Sequence, residues 1–350
     1  MLLRVLWGAF SANNLLIFFL FFECSALIIF CIIAGWGYQP ERLPAAVSLL
    51  LYTSLAALPM VSAIFWLDHH WGISQFFHIS IYLNSGGNIL PLTGVLSLGF
   101  IVKFPLFFFH LWLPKAHVEA SAAGSQLLAG VLLKLGAFGI FRFAPLLPLP
   151  ERSAGLTWAL WGGAVLSIVC SRAKDFKVLI AYSSVVHISI VIASLLTKTP
   201  RGARTALFLV LAHAISSAFI FFLAGELFSW RNTRQIILST GVLSHSPLFS
   251  AIWTLGTLAN MGTPPLVNFW RELLRLICLA NFCSKTLPPL IIIFFFCVAY
   301  SIVLLGSTQM GRSSPLFIRP LIISAKSLRN FIIHGWALLI ISIFLSFFAY

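Results

Sequence analysis

Residues 102–120 read VKFPLFFFHLWLPKAHVEA. Lys103 stands inside an apolar run, Pro105 follows it by two residues, and Pro114 lies further on. A charge near the centre of a bilayer costs roughly 2.5–3.5 kcal/mol even on insertion scales. Proline removes a backbone donor and breaks or kinks a helix. Three more charges have apolar surroundings of the same kind: Glu23, Lys134 and Glu272. Only 9% of the chain is charged, so four such placements call for a reason. Either the four are paired structural glue or they are stations on an ion path.

Composition supplies the solvent. The 350 residues are 60% hydrophobic, with 34 Phe and a mean hydropathy of +1.02, which marks a polytopic membrane protein. Apolar runs of about 20 residues broken by short polar punctuation mean α-helices and not a barrel. The fold class is therefore all-α, with about ten transmembrane helices expected near 13–35, 44–66, 88–113, 125–146, 155–171, 178–197, 203–229, 247–270, 287–307 and 331–349. Short connections predict one transmembrane helical bundle over 1–350. The longest connection, 309–330, holds Arg312, Pro315, Arg319, Pro320, Lys326 and Arg329 and suits a basic interfacial segment, with 331–349 as the last transmembrane helix.

The net charge of +14 does not mark a nucleic-acid binder. No basic run carries the interleaved aromatics or docking fold that would require, and most Lys and Arg fall between spans, where they set topology. With the first span running outer to inner, the inner loops hold Arg42, Lys115, Arg172, Lys174, Lys177, Arg231, Arg234, Arg312, Arg319, Lys326 and Arg329. The outer segments hold Arg4, Arg142, Arg152, Lys198, Arg201, Arg204, Arg275 and Lys285, a smaller set, as the positive-inside rule asks. The six cysteines form no Cys-x-x-Cys, so no zinc or iron–sulfur site is indicated; they read as small buried apolar residues. The N-terminal run, interrupted by Asn13, Asn14 and Glu23, does not resemble a cleaved signal.

A second span repeats the first pattern. Pro264 and Pro265 fall mid-run, ahead of Glu272. A helix broken inside the membrane frees backbone groups that must face protein or a water-filled cavity, and broken helices beside buried charges mark ion-translocating bundles. One proline would indicate a simple kink; two spans that each pair a break with a charge favour function.

The stretch from Val102 to Ala120 resembles the signature of the antiporter-like membrane subunits of respiratory complex I, the NADH:ubiquinone oxidoreductase, and most closely its subunit 4 branch. So does 124–139, with its Leu-Leu-Lys-Leu-Gly core. Further matches are Phe22-Glu23, residues 36–42 (WGYQPER), Ile180 to Ser184 with His187, Ala212-His213 with Ser216-Ser217, and Pro264-Pro265 with Asn268 and Glu272. They occur in family order across nearly the whole chain. Two positions depart from the family pattern: Arg271 stands where a small residue is usual, and Ser121 replaces a common proline. The first four family helices have no counterpart.

The resemblance implies a proton path. Glu23 and Lys103 would be an ion pair, Lys134 the central lysine, His187 and His213 intermediate polar positions, and Glu272 the exit station. His110, Lys115, His117 and Glu119 would either cap the broken helix or line a half-channel entrance, with Pro105, Pro264 and Pro265 as helix breaks. The chemistry suits the task. Low dielectric disfavours a charged amine and a nearby carboxylate restores it; histidine's ordinary pKa fits a relay near neutrality. Taken singly, either histidine also reads as a satisfied core residue. His69, His70 and His78 are read as loop residues, and Glu226 as a local ion-pair partner of Arg231 or Arg234.

No Gly-x-Gly-x-x-Gly, P-loop, haem or flavin signature is present, so no cofactor and no metal is expected on this chain. The resemblance places NADH, FMN, iron–sulfur clusters and ubiquinone on other subunits. It implies other complex I membrane-arm subunits, including neighbouring antiporter-like ones, and phospholipids as partners; the missing helices are either lost or supplied by a separate chain. The Phe-, Leu- and Ile-rich composition suits an organelle-encoded, multi-pass protein of the mitochondrial inner membrane, ahead of a bacterial or plastid energy-transducing membrane. The alternatives are a subunit of a multi-subunit Na+/H+ antiporter and a structural membrane spacer that no longer pumps.

Overall fold

Proline, glycine and asparagine punctuate the apolar runs, and the helices start and stop on them. The computed structural model describes residues 1–72, 75–76, 90–143, 152–264, 266–311 and 325–347. Its helices are α1 (Leu2–Ser11), α2 (Leu15–Trp36), α3 (Arg42–Trp71), α4 (Leu90–Lys103), α5 (Trp112–Glu119), α6 (Ala122–Phe143), α7 (Arg152–Ser171), α8 (Phe176–Leu196), α9 (Pro200–Arg231), α10 (Pro247–Met261), α11 (Val267–Phe282), α12 (Leu287–Gln309) and α13 (Ala325–Phe347). No strand occurs among the described residues. Asn14 caps α2 by accepting from Leu16 N at 2.8 Å. Thr199 and Ser246 cap α9 and α10, each with proline at the first helical position, where a missing N–H costs nothing.

Among the described residues, six helices are long and apolar enough to cross a membrane: α2, α3, α6, α8, α9, and α12 with its leading turn. Of the other four expected spans, two fall on interrupted helices and two on α7 and α13. The run expected at 88–113 is divided between α4 and α5, and that at 247–270 between α10 and α11. Of the basic connection, residues 312–324 lie outside the described residues, as do Pro265 and His78.

Helix α8 is apolar on every side, the mark of a helix surrounded by protein. Nearly all its residues are buried, and α7, α9 and α5 pack around it. Its serines satisfy themselves within the helix: Ser183, Ser184 and Ser189 donate to carbonyls three residues back. Small residues set the close approaches, as in membrane bundles generally. A Cβ on Gly163 would lie 2.1 Å from Ser189 Oγ, and one on Gly225 would lie 2.4 Å from Ala122 Cβ. Helices α2 and α3 instead leave much of their apolar surface outward, including Leu20, Leu27, Leu51, Leu55 and Phe65.

Several sequence expectations need correction. His69 and His70 belong to the last turn of α3, which runs on until Gly72 ends it in the left-handed region (φ +60°). Cys170 and Cys297 are buried, but Cys24 and Cys31 face outward from α2. Lys177, Arg231 and Arg275 are not loop charges. All three lie in helices with 0–1% exposure, so they leave the topology count on both sides. The residues ahead of the first expected span form α1, which packs against α2.

Candidate functional site

The first break opens directly after Lys103. Helix α4 ends there and α5 restarts at Trp112. Trp112 Nε1 donates to the freed Val102 carbonyl at 3.1 Å, so one signature aromatic satisfies a backbone group that lipid could not. Phe108, inside the break, has φ +79°, a conformation costly for a residue with a Cβ. Helix α6 reaches the break because it carries glycine there. A Cβ on Gly136 would lie 3.0 Å from Phe104 N and Phe104 Cβ.

Lys103 is fully buried. Its Nζ lies 3.8 Å from Glu23 Oε1, donates to the Phe22 carbonyl, and stands 3.4 Å from the centre of the Phe22 ring. The ammonium thus has a carboxylate, a carbonyl and an aromatic face, three interactions that offset its desolvation.

Lys134 stands two residues beyond a widened turn. Residues Leu128–Leu132 form a π-helical segment, a local irregularity common at functional sites. Lys134 Nζ folds back onto the Ala129 carbonyl at 2.6 Å and meets His213 Nδ1 at 3.0 Å. The rings of His213 and His187 have centroids 5.4 Å apart. His187 Nδ1 is 4.0 Å from Glu272 Oε1, beyond direct hydrogen bonding. Four ionisable groups from α6, α9, α8 and α11 therefore form one buried file. A void of about 10 Å³ lies among Lys134, His187 and His213, close to the minimum for one water. His213 Nε2 and Ser216 Oγ are buried without a hydrogen-bond partner among the described residues, and both could serve such a water.

The second break holds Glu272. Gly262 ends α10 at φ +80°, its N–H bonded to the Leu258 carbonyl. Glu272 Oε2 lies 2.7 Å from where a Cβ on Gly262 would stand, so the missing side chain admits the carboxylate. Asn268 Nδ2 donates to the Ala259 carbonyl at 2.5 Å and ties the two half-helices together. A cavity of about 290 Å³ opens beside Glu272, lined by Thr263, Pro264, Phe269, Phe294 and Cys297 among others.

The remaining signature residues separate. Lys115 is exposed on α5. His110 ends the break, where its carbonyl accepts from Leu113 N at 3.0 Å. Its ring lies against Phe107 and Tyr182. His117 is fully buried and stacks on Phe221 at 4.2 Å. Glu119 accepts from Arg234 at 2.8 Å. The expected pairing of Glu226 with Arg231 or Arg234 is therefore wrong. Arg234 is taken by Glu119, Arg231 donates to the Leu238 and Thr240 carbonyls, and Glu226 accepts from Ser327 at 3.0 Å. Lys177 joins the Glu119 group through the Val118 and Ala120 carbonyls. Sequence reasoning missed this cluster and also Arg275, which lies one turn beyond Glu272 and is buried. The spacing of three residues on an amphipathic half-helix was the available signal.

Comparisons with known proteins bear on the family and the fold. The sequence model described as NADH:quinone oxidoreductase/Mrp antiporter, TM matches residues 12–301. NADH-ubiquinone oxidoreductase chain 4 of Ceratitis capitata is 39% identical over 315 residues, covering 89% of this chain and 70% of the relative. Among solved structures, a chain of respiratory complex I from Thermus thermophilus with bound NADH superposes with a TM-score of 0.88 at 26% identity, over 99% of this chain and 74% of that one. A chain of the Mrp complex from Dietzia reaches 0.80 at 15% identity, over 91% and 62%, a likeness of fold.

Proposed function

The chain belongs to the NADH:quinone oxidoreductase/Mrp antiporter transmembrane family, and we propose that its file of buried ionisable side chains carries the protons. It is a proton-translocating membrane-arm subunit of the NADH:ubiquinone oxidoreductase type, a multi-pass membrane protein of a multi-subunit assembly. Within that role, Lys103 and Glu23 form the first charge pair, Lys134 the central station, His213 and His187 the relay, and Glu272 the last station. The observation that supports this most is the file itself, Lys134–His213–His187–Glu272, assembled from four separate helices with spacings of 3.0, 5.4 and 4.0 Å.

The chain's own residues suggest how it works. Lys103 directly precedes Phe104, which lines the same small void as Lys134, and like charges in a low dielectric repel. When Glu23 holds Lys103, the positive charge near Lys134 is compensated and Lys134 keeps its proton. When that pair loosens, the repulsion rises and the proton passes to His213. The imidazole must then accept at Nδ1 and pass a proton from Nε2. The 4.0 Å step to Glu272 closes by a small side-chain movement or through a water.

The finer features of the reading follow. About ten spans are traversed, with α4–α5 and α10–α11 each counting as one interrupted crossing and α7 and α13 completing the set. The outward apolar faces of α2 and α3 take lipid or a separate chain. His110 and His117 flank the approach to Lys134. NADH, FMN, iron–sulfur clusters and ubiquinone act on other subunits, in the mitochondrial inner membrane. The Na+/H+ antiporter alternative has the weaker support, a likeness of fold at 15% identity against 26% for the complex I chain.

Proton pumping per electron in an assembled Lys134→Met complex is the test. Methionine keeps most of the volume and removes the titrating amine. Pumping per electron should fall, quinone reduction should slow, and Lys134→Arg should also impair pumping because a guanidinium stays protonated. Normal rate and stoichiometry in both variants would leave the chain a structural spacer.

A further inference from the structure

Glu23 is the acid paired with Lys103, yet it is not the group that seats it. The carboxylate lies 3.8 Å from Nζ, outside hydrogen-bond reach, and Glu23 Oε1 has no hydrogen-bond partner among the described residues. The ammonium instead donates to the Phe22 carbonyl and stands over the Phe22 ring, 3.4 Å from its centre. Ser25 also donates to that carbonyl, at 2.6 Å, so the carbonyl is a shared acceptor and the ring face is the distinctive part of the seat. A ring face attracts an ammonium through its quadrupole and does little for a neutral amine.

Packing holds the ring in place. Phe22 is 1% exposed, and its centroid lies 5.7 Å from that of Phe18 and 5.4 Å from that of Phe100, the latter edge to face. Phe100 precedes Lys103 by three residues on α4, so the helix that carries the lysine also clamps the ring. Helix α6 admits Phe100 through a glycine: a Cβ on Gly139 would stand 2.3 Å from the Phe100 ring. Successive residues of a helix point about 100° apart. The Phe22 ring is therefore inward on α2 while the Glu23 side chain stays 23% exposed.

We propose that Phe22 is a positioning residue of the proton path: its ring is a second seat for the Lys103 ammonium, which lets Lys103 leave Glu23 with its proton still on. The proposal rests on Glu23 and Lys103 being the first charge pair, as argued above. A lysine moving off its carboxylate into bare hydrocarbon would lose its compensation, which is what keeps charges away from the bilayer centre. The ring face returns part of that loss and brings the two seats closer in free energy. The pair then opens and closes by a swing of the lysine side chain, with no bond made or broken. In the open arrangement Glu23 compensates the positive charge near Lys134 less, and that is the condition under which Lys134 gives up its proton.

The test uses the assembled complex in proteoliposomes, with Phe22→Leu, Lys103→Met, Glu23→Gln and the double variant Phe22→Leu/Lys103→Met. Ring-fluorinated phenylalanines placed at position 22 by nonsense suppression keep the shape of the side chain and weaken its face step by step. Pumping per electron should fall stepwise with fluorination and several-fold in Phe22→Leu. Phe22→Leu should also lower the Tm of the complex more when Lys103 is present than in the Lys103→Met background, since contacting residues couple. Pumping indifferent to fluorination would overturn the proposal while leaving the charge pair intact. An equal Tm loss in both backgrounds would make Phe22 a packing residue and overturn it too. Full pumping in Glu23→Gln and in Lys103→Met would instead overturn the path on which it rests. Should Phe22→Leu fail to assemble, the fluorinated series decides.

Discussion

Lys134 Nζ lies 3.0 Å from His213 Nδ1 and 2.6 Å from the Ala129 carbonyl, so a single amine joins a π-helical turn of α6 to the middle of α9. A protonated lysine can only donate, which requires His213 to accept at Nδ1 and to carry its own hydrogen on Nε2. The contact therefore selects a tautomer as well as a distance. The His187 ring follows, its centroid 5.4 Å from that of His213.

Replacing His213 separates these two jobs. His213→Asn keeps an acceptor for Lys134 but cannot relay a proton, whereas His213→Phe removes both. Both variants should lower pumping per electron. Only the phenylalanine variant should also lose stability, by about 1–3 kcal/mol for an unsatisfied buried donor. Thermal stability of the assembled complex beside its proton-to-electron ratio would show the split; equal effects on both would contradict it.

Glu119 and Arg234 should behave as structural partners. Their 2.8 Å pair ties the end of α5 to the segment after α9, away from the file. Glu119→Gln or Arg234→Leu should reduce assembly, with about 3–5 kcal/mol at stake when one partner of a buried pair is removed. Complex that does assemble should pump normally per electron. A lowered ratio at full assembly would place the pair on the path.

Gly262 should tolerate no side chain. Its φ of +80° disfavours an L residue, and a Cβ there would lie 2.7 Å from Glu272 Oε2. Gly262→Ala should cost about 1–2 kcal/mol in backbone strain and push the carboxylate away from His187. A drop in pumping per electron larger than the drop in assembly would confirm the second effect; the reverse order would make Gly262 a backbone residue only.

Gly136→Ala should disturb the first break from the outside. The new methyl would meet Phe104 backbone and Cβ at 3.0 Å, and overpacking of this sort costs about 1–3 kcal/mol. Because α6 would move off the break, Lys134 and Lys103 should uncouple. Quinone reduction in that variant should slow at normal quinone affinity. A purely structural effect would instead show as less complex of normal turnover.

Local chemistry determined much of this protein. Apolar runs with polar punctuation specify membrane-crossing helices, and Pro105 and Pro264 lie just beyond where two of them stop, although Pro59 inside α3 shows that a missing N–H alone does not end a helix. The four charges in apolar runs stood out because their cost in lipid can be read from one residue and its neighbours. What the tertiary structure alone decided was partnership. Arg234 passes over nearby Glu226 to reach Glu119, Lys177 leaves its expected loop for a helix end under Tyr38, and the π segment bends Lys134 toward His213. Each depends on which distant helices meet, and a buried charge takes the partner that packing brings within reach rather than the one closest along the chain.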